Sequence, residues 1–463
     1  MQTSTFESVR RSQPGSSPAL PIEAAAIDAA AVEALAGAPL TQLDKGIPPR
    51  LWGRSAADGA SLRLPLSEFP TPLVTLSEPG LQHNIAVFAD WCAARGLALA
   101  PHGKTTMAPQ LWAAQLEAGS WAITLANVAQ LAVARANGVS RVLVANEIIV
   151  PSALRWIADE LRRDPAAQVI CWADHPRTVG LMEDALASSL SAADADYRPI
   201  DVLVEVGGAG GRTGAREATT ALGVARRLAD SPCLRLAGVG GYEGALAADS
   251  DADSLAVVRG FLVRMREIHE QISAAGLYPE GVAPIVSAGG SAYFDDVADV
   301  LGPLVADGVR VVLRSGAYVT HDDGHYRHLS PLGEHPRTAG PGLVSALHGW
   351  VRVCSQPEPG LALVDGGKRD LPYDLDLPEV QLRLADGAAA PEAFRDMRIA
   401  AVNDQHGFLR WDPDQPEPVE IGDVLRLGLS HPCTAFDKWR VIPVIDDPDA
   451  ADPVVVDFVR TFF

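Results

Sequence analysis

The sequence predicts an α/β fold: a (β/α)8 barrel followed by a C-terminal antiparallel β-domain. Short apolar runs alternate with longer amphipathic stretches up to about residue 335, eight such runs can be counted, and the helical pattern ends beyond that point. Eight repeats of strand and helix are typical of a barrel of parallel strands. We therefore expect an N-terminal extension at 1–64, partly of low complexity and able to add to the β-domain, the barrel at 65–335 and the β-domain at 336–463.

The individual elements follow from hydrophobic periodicity. Strands buried on both faces of a parallel sheet are nearly continuous in apolar residues, and helices between them are amphipathic. The predicted barrel strands are 97–101, 121–125, 141–146, 168–173, 200–206, 235–241, 283–288 and 309–314. The predicted helices between them include 107–118, 127–137, 151–162, 175–189, 215–229 and 253–275. In the second domain, runs separated by Gly, Pro and Asp predict strands at 343–353, 361–365, 379–384, 397–402, 424–429 and 439–445.

Composition excludes several classes of protein. The 463 residues include 38 Lys and Arg against 58 Asp and Glu, a net charge of -20, which repels nucleic-acid backbones and anionic membranes. The five cysteines are scattered, with no CxxC pair, as in proteins of a reducing compartment. The first residues lack an apolar core, and the alanine-rich run at 22–38 carries three acidic residues. We therefore expect a cytoplasmic protein that acts on small molecules.

One lysine stands out. The run Leu97–Ala100 leads into Pro101-His102-Gly103-Lys104, so Lys104 follows the first predicted barrel strand. Barrel enzymes keep their chemistry at this end of the strands, and a lysine there can condense with an aldehyde cofactor as a Schiff base. A solvated loop lysine is the alternative. Glycine-rich or polar turns also follow the later strands, and those after strands seven and eight suit a phosphate group, although ordinary turns contain glycine too. These turns are 207–214, 241–244, 288–291 and 315–318.

A second cluster lies in the β-domain. His431 and Cys433 are two residues apart, and an imidazole and a thiolate on an extended segment can converge on one soft divalent ion such as zinc. Two protein ligands leave positions open for water or a substrate hydroxyl, as in catalytic sites. An unpaired thiol beside a core histidine is the alternative. The loop His321–His328 holds three histidines and two aspartates, and it is either a metal site or a solvated rim of the active site.

The motifs Pro101-His102-Gly103-Lys104-Thr105 and His431-Pro432-Cys433-Thr434 resemble those of the D-serine dehydratase and D-threonine aldolase group of fold-type III enzymes, relatives of alanine racemase. The resemblance extends from about residue 65 to the end. It implies a pyridoxal 5′-phosphate (PLP) cofactor held by Lys104, and Zn²⁺ or another divalent metal held by His431 and Cys433. The further cofactor-binding residues that it implies are His102, Arg212, Tyr242, Gly289, Gly290, Ser291, Ser315, Gly316 and Tyr318. Ala100 and Thr106 depart from the arginine and histidine frequent in the group.

The resemblance implies a lyase that converts D-3-hydroxy amino acids such as D-serine into a 2-oxo acid and ammonia by β-elimination. In the related aldolases His-x-Asp tends to replace His-x-Cys, so Cys433 favours dehydration. A metal-dependent aldolase that releases glycine and an aldehyde is the alternative enzyme, and a racemase has less use for the His-Cys pair. A non-catalytic PLP-binding protein is the alternative from another class. We expect a homodimer, as is usual for fold-type III enzymes.

Overall fold

The structure, a computed structural model, describes residues 20–187, 197–389, 394 and 396–463. In this part of the chain, 17 strands form one sheet of eight and one of nine. We number the strands β1–β17 and the helices α1–α12 in chain order. The predicted fold class, a parallel barrel followed by a mainly antiparallel sheet, is confirmed.

The eight-stranded sheet is parallel throughout and coincides with the eight predicted strands. Its order is β2-β9-β8-β7-β6-β5-β4-β3. Backbone hydrogen bonds from Trp121 to Leu99 (2.6 Å) and from Thr124 to Pro101 (2.8 Å) join the two outer strands and close the barrel. The strands are β2 (Ala98–Leu99), β3 (Ile123–Leu125), β4 (Arg141–Glu147), β5 (Gln168–Ala173), β6 (Ile200–Val206), β7 (Leu234–Gly241), β8 (Ile285–Ala288) and β9 (Arg310–Leu313).

The nine-stranded sheet joins the C-terminal part of the chain to one strand from the N-terminal part. The strands are β1 (Leu73–Ser77), β10 (Leu347–Glu358), β11 (Leu361–Val364), β12 (Glu379–Arg383), β13 (Arg398–Val402), β14 (Gly407–Arg410), β15 (Val424–Gly428), β16 (Val441–Ile445) and β17 (Val455–Arg460). β1 lies within the range 65–335 that the sequence assigned to the barrel, but it pairs antiparallel with β10 and parallel with β16. The barrel therefore begins at the helix that follows β1.

Twelve helices accompany the two sheets in the described part of the chain. They are α1 (Ala29–Gly37), α2 (Ala56–Ser61), α3 (Glu78–Ala93), α4 (Pro109–Glu117), α5 (Val128–Ala136), α6 (Pro151–Arg163), α7 (Pro176–Leu186), α8 (Ala218–Ala229), α9 (Ala252–Ala274), α10 (Phe294–Leu301), α11 (His325–Leu329) and α12 (Cys433–Phe436). Short 3₁₀ turns include Gly103–Thr105 and Ala317–Val319. Among the described helices, none is long and apolar enough to cross a membrane.

The described part of the N-terminal extension packs on both domains. Ala25 donates its backbone N–H to Ser120 and is buried in the barrel core, at the end opposite the carboxyl ends of the strands. Leu40, Ile47 and Leu51 are buried in the core of the β-domain. Burying apolar side chains in this way stabilises the folded chain by roughly 1.5–3 kcal/mol for each fully buried leucine or isoleucine. Residues 20–64 therefore pack as part of the folded molecule.

Two backbone links position the β-domain over the barrel mouth. Asp323, in the loop after β9, donates its N–H to the carbonyl of Leu429 (2.9 Å), which follows β15. The backbone N–H of His431 donates to Asp322 Oδ2 (3.1 Å). The other carboxylate oxygen of Asp322 accepts backbone N–H groups of its own loop. As a result the His431–Cys433 segment lies against the rim that carries Lys104.

Candidate active site

A cavity of about 430 Å³ opens at the carboxyl ends of the barrel strands and extends to the His431–Cys433 segment. Its size lies in the range of about 300–1,000 Å³ that is usual for small-molecule sites. Ten of the twelve residues that the sequence analysis put forward line it: His102, Lys104, Arg212, Tyr242, Gly289, Gly290, Ser291, Gly316, His431 and Cys433. Residues that the sequence analysis did not put forward line it as well, among them Trp172, Glu205, Arg314 and Tyr326.

Lys104 lies on the 3₁₀ turn that follows β2. The turn is held from outside, because Trp112 of α4 donates its indole N–H to the carbonyl of Gly103 (3.2 Å). The Nζ atom of Lys104 has no hydrogen bond or ion pair with any described residue. Burial lowers the pKa of Lys104, and the charges of Arg212 and Arg314 lower it further, against an opposing effect of Cys433. Lowering this pKa enlarges the uncharged, nucleophilic fraction of the amine.

Arg314 is a buried cation on the cavity wall. It directly follows β9, with 4 % of its surface exposed. Its guanidinium donates to Ser287 Oγ (2.7 Å) and to the carbonyl of Gly241 (2.6 Å), and it lies 5.0 Å from the centre of the Trp172 ring. Burial lowers its pKa to about 10, which leaves it charged at neutral pH. Arg314 is the last residue of the predicted strand 309–314. A charged residue at the end of an apolar barrel strand is the pattern that could have marked it as a site residue.

The two glycine loops differ from the predicted phosphate cradle in one respect. The backbone N–H groups of Gly289 and Gly290 donate to the two carboxylate oxygens of Glu243, at 3.0 and 2.7 Å. Glu243 is fully buried directly after Tyr242, and the sequence analysis missed it. These two amides are therefore engaged by a carboxylate, and the prediction that they face a phosphate is not supported. Glu243 instead fixes the loop after β8 against the loop after β7.

The second loop, after β9, comes close to the lysine turn. Ser315 does not line the cavity, because its hydroxyl donates to the carbonyl of Gly290 (3.0 Å) and braces the neighbouring loop. Gly316 lines the cavity, and a Cβ atom there would lie 2.5 Å from the carbonyl oxygen of His102 and 2.9 Å from Thr105 Oγ1. Ser291 Oγ accepts the N–H of Ala317 (3.2 Å). Glycine at 316 is thus required for the loop to reach the lysine turn.

We expect Gly316→Ala to lower the free energy of unfolding by about 1–3 kcal/mol, because the added methyl group meets backbone that cannot move aside. Urea denaturation followed by circular dichroism measures the change. Gly260→Ala is the matched control, since Gly260 lies on α9 with nothing within 4 Å of an added Cβ. The control substitution is expected to be neutral or to stabilise the helix by up to about 1 kcal/mol. Equal stability of the two variants would contradict the tight packing of this loop.

Tyr318 is the second predicted residue that does not line the cavity. Its ring stacks on Phe88 with 4.3 Å between the ring centres, and its hydroxyl accepts a hydrogen bond from Gln115 Nε2 (2.9 Å). The side chain is buried, and burial raises the pKa of its phenol. Tyr318 therefore packs between the barrel and its helices, because the 3₁₀ turn Ala317–Val319 directs it inward.

Arg212 and Tyr242 form a pair at the cavity mouth. The guanidinium of Arg212 lies 5.0 Å from the centre of the Tyr242 ring, a cation–π distance. The loop that carries Arg212 is held by Arg216, whose guanidinium donates to four carbonyl groups, those of Gly211, Arg212, Thr213 and Gly214, at 2.6–3.0 Å. The Tyr242 ring also packs on Gly290, where a Cβ atom would lie 2.9 Å from it. The loops after β6, β7 and β8 thus meet at Tyr242.

His431 and Cys433 have partners that suit a metal site. His431 Nδ1 lies 2.5 Å from Asp374 Oδ2, and Thr434 Oγ1 donates to the other oxygen of the same carboxylate (2.6 Å). A carboxylate on one ring nitrogen leaves the other available to a metal, the arrangement usual around metal-binding histidines. His431 has a φ of 60°, a left-handed conformation that is uncommon without glycine and is found at functional sites.

The thiol of Cys433 completes this pair. Cys433 Sγ lies 3.6 Å from the Oγ1 atom of Thr105, the residue that follows Lys104 in the sequence. Burial acts to raise the pKa of the thiol, but His431, Thr105 and Lys104 outweigh it, so the pKa is lowered. A lower pKa favours the thiolate, which is the form that binds metals. The residues present therefore fit a divalent ion with one nitrogen and one sulfur ligand.

Two sequence features fall outside the cavity. Thr106, where the sequence departs from the group, is buried and does not line it. In the loop His321–His328, Asp322 binds backbone N–H groups, and burial lowers the pKa of His321 to about 4. None of the histidines of that loop belongs to a cluster of three potential metal ligands in the described chain.

The chain is similar to several known proteins. Residues 346–445, which include His431 and Cys433, match the family described as a putative serine dehydratase domain. The chain is 25 % identical to a D-threonine aldolase of Arthrobacter sp over 388 residues, 83 % of this chain and 91 % of that one. It is 26 % identical to a 3-hydroxy-D-aspartate aldolase of Paracoccus denitrificans (strain Pd 1222) over 381 residues, 81 % and 89 % of the two chains. The resemblance to the D-serine dehydratase and D-threonine aldolase group is confirmed.

Solved structures of this group share the fold. The D-threonine aldolase of Filomicrobium marinum superposes with a TM-score of 0.70 at 21 % identity, over 86 % of this chain and 96 % of that one. The D-threo-3-hydroxyaspartate dehydratase of Delftia sp. HT23 superposes with a TM-score of 0.64 at 21 % identity, over 85 % and 97 %. The chain thus shares both domains of the group.

Proposed function

We propose that this chain is a PLP-dependent lyase of D-3-hydroxy amino acids and that it converts a D-serine-like substrate into a 2-oxo acid and ammonia. The observation that carries the proposal is the cavity in which a lysine amine without a partner meets the His431–Cys433 pair. Relatives named as aldolases of D-threonine and 3-hydroxy-D-aspartate support the coarser part, a lyase acting on D-3-hydroxy amino acids.

The cavity residues fit PLP. The Nδ1 atom of His102 is buried without a hydrogen-bond partner in the described chain, so a polar group of a ligand would satisfy it. Arg314 lines the cavity and supplies positive charge for an anionic group of the cofactor. When bound, PLP would take up the substrate amine and withdraw electrons from Cα. Lys104, His102, Arg314, Ser291, Gly316 and Tyr242 are the residues that would hold it.

Lys104 is the group suited to move the Cα proton. A general base works best when its pKa is near the working pH, and burial lowers the pKa of this amine toward that range. Arg212 and Arg314 oppose a further positive charge beside it, which favours the neutral amine before proton transfer. The ammonium that results lies near Cys433, the one neighbour that raises its pKa. The neighbours of Lys104 thus include two that favour the neutral amine and one that favours the ammonium.

His431 and Cys433 would hold a divalent metal ion that takes up the negative charge developing on the β-hydroxyl. Among the solved structures are a histidine-to-alanine mutant and a metal-free cysteine-to-alanine mutant of the dehydratase, at positions two residues apart in that protein. His431 and Cys433 have the same spacing, which supports a metal pair in this chain. Thr105 supports the cysteine and Asp374 the histidine.

Aldol cleavage is the second candidate, favoured by the names of the curated relatives. In that reaction a base removes the hydroxyl proton, the Cα–Cβ bond breaks, and glycine and an aldehyde result. The two candidates therefore differ in which bond to Cβ breaks. A His-x-Cys pair in place of the His-x-Asp of the aldolases favours the dehydratase.

Product analysis tests the proposal. The PLP-loaded protein is incubated with D-serine, D-threonine and D-3-hydroxyaspartate, and with their L-enantiomers, before and after treatment with a chelator. Equal amounts of 2-oxo acid and ammonia from the D-substrates, lost after chelation and restored by metal, support the dehydratase. Glycine and an aldehyde support the aldolase instead. A bound cofactor whose spectrum no substrate changes would indicate a non-catalytic PLP carrier.

Asp374→Asn is expected to weaken metal binding by about 10–100-fold, the usual effect of losing the carboxylate behind a ligating histidine. The carboxylate contacts both His431 and Thr434, whereas an amide can accept at only one atom. Competition with a zinc-sensitive dye measures the affinity. Asp414→Asn, at an exposed position of the same domain, is the matched control and should leave the affinity unchanged. Equal affinity in both variants would contradict a metal on His431.

A further inference from the structure

Three carboxyl groups converge at the ends of adjacent barrel strands, and none of them belongs to the His431–Cys433 segment. Glu147 ends β4, Asp174 directly follows β5, and Glu205 is the last residue but one of β6. One carboxylate oxygen from each lies within 4.8 Å of the other two. Neighbouring strands are about 4.8 Å apart, so three consecutive strand ends bring their side chains to one point. We call these residues the carboxylate cluster.

The cluster has fewer partners than its burial requires. Glu205 is 3 % exposed, and neither its Oε2 atom nor the buried Oε1 atom of Glu147 accepts a hydrogen bond from an N–H or hydroxyl group of the described chain. The donors that do reach the cluster are neutral: Thr213 Oγ1 to Glu205 Oε1 (2.9 Å), the Gly214 N–H to Asp174 Oδ2 (3.2 Å) and Thr178 Oγ1 to Asp174 Oδ1 (3.5 Å). Within the described ranges, no lysine, arginine or histidine forms an ion pair with any of the three carboxylates.

Such a cluster needs positive charge. Two like charges 4 Å apart repel by about 4 kcal/mol at the effective dielectric of a protein surface, and three carboxylates make three such pairs. Burial raises the pKa of Glu205 to about 9, together with a hydrogen bond to Glu147 and the charges of Glu147 and Asp174. A proton can neutralise one of the three groups, whereas a divalent ion also satisfies the oxygens that lack donors.

We propose that Glu147, Asp174 and Glu205 bind a divalent cation of the oxygen-preferring class, such as Mg²⁺, Mn²⁺ or Ca²⁺. All donors are carboxylate oxygens, which these hard cations prefer, whereas the nitrogen and sulfur of His431 and Cys433 suit a softer ion. Glu205 lines the same cavity as Lys104. The cation would thus remove negative charge from the wall past which an anionic amino acid enters, and it would anchor the loop that carries Arg212.

Mn²⁺ binding tests this site independently of turnover. The full chain is prepared as His431→Ala/Cys433→Ala, which removes the other candidate site, and the signal of free Mn²⁺ is followed by electron paramagnetic resonance. We expect one Mn²⁺ per chain. Adding Glu205→Gln or Asp174→Asn should weaken this binding by at least about tenfold, while Glu267→Gln, exposed on α9, should not change it.

The His431→Ala/Cys433→Ala protein tests the proposal by itself, even if a further substitution in the carboxylate cluster prevents folding. No Mn²⁺ binding by this folded protein, checked by circular dichroism, would overturn the proposal and leave a shared proton as the explanation of the cluster. Equal weakening by Glu267→Gln and Glu205→Gln would overturn it as well. Neither measurement depends on PLP or on product formation. The cation-site proposal can therefore be contradicted while the proposed lyase activity is supported, and the lyase activity can be contradicted while the cation site is supported.

Discussion

Replacing Lys104 with alanine is expected to lower turnover of D-3-hydroxy amino acids by at least about 10³-fold and to remove the visible absorbance of the bound cofactor. The amine is the cavity's only lysine, and it has no other partner among the described residues. A methyl group can neither bind the aldehyde nor carry the Cα proton. Absorbance spectra after dialysis and initial rates measure the two effects.

Lys368→Ala is the matched control for this substitution. Lys368 lies in the β-domain beside Tyr373, outside the cavity that Lys104 lines. Its loss should leave both the spectrum and the rate within about twofold of the unsubstituted protein, as is usual for surface changes of less than about 0.5 kcal/mol. A Lys104→Ala protein that kept the absorbance would place the cofactor on another lysine.

His431→Ala and Cys433→Ala are expected to lower turnover by about 10²-fold or more while leaving the cofactor absorbance intact. The physical reason is the loss of several kcal/mol of charge stabilisation at the leaving hydroxyl, where each 1.4 kcal/mol corresponds to tenfold in rate. Removal of metal with a chelator should reproduce this effect in the unsubstituted protein. Initial rates at saturating substrate, together with metal content, measure it.

Cys433→Asp separates the loss of a ligand from the loss of a thiol. Aspartate retains an anionic metal ligand, so this variant should retain more metal and more activity than Cys433→Ala. If the alanine and aspartate variants and the chelated protein were all as active as the starting protein, the pair would have no catalytic role. Loss of the cofactor spectrum in these variants would instead indicate that they support PLP rather than a metal.

The barrel could be predicted from the sequence because buried parallel strands leave a clear pattern. All eight predicted strands occur, and their ends differ from the predicted ends by at most two residues, as in β2. The β-domain was less accessible. β14 and β17 were not predicted, since strands in a sheet with one covered face mix polar and apolar residues, as Val455–Arg460 does. β1 was not predicted either, although all five of its residues are buried.

The cavity lining was predictable where motifs mark it and unpredictable where contacts are remote. Two motifs marked cavity residues in the sequence. Lys104 and Arg212 follow predicted strands, and His431 and Cys433 have the short spacing of a metal-binding pair. Asp374 lies 57 residues before His431 in the chain, and no local pattern connects the two. The role of Gly289 and Gly290 was equally hidden, because the buried carboxylate of Glu243 accepts both of their backbone N–H groups.

The carboxylate cluster shows the same limit. Glu147, Asp174 and Glu205 come from three separate strands, and each one alone reads as an ordinary polar residue at the end of an apolar run. Only the order of the strands in the barrel brings them within reach of one ion. The information was present in the predicted topology, since β4, β5 and β6 are neighbours.

The central claim is that Lys104 carries the PLP of a lyase. Reduction of the PLP-loaded protein with borohydride, followed by peptide mass spectrometry, locates the cofactor on one of the chain's four lysines. We expect the added mass on Lys104 alone, and we expect addition of D-serine before reduction to lower its yield. The added mass on Lys45, Lys368 or Lys438, or none on any lysine, would contradict the account.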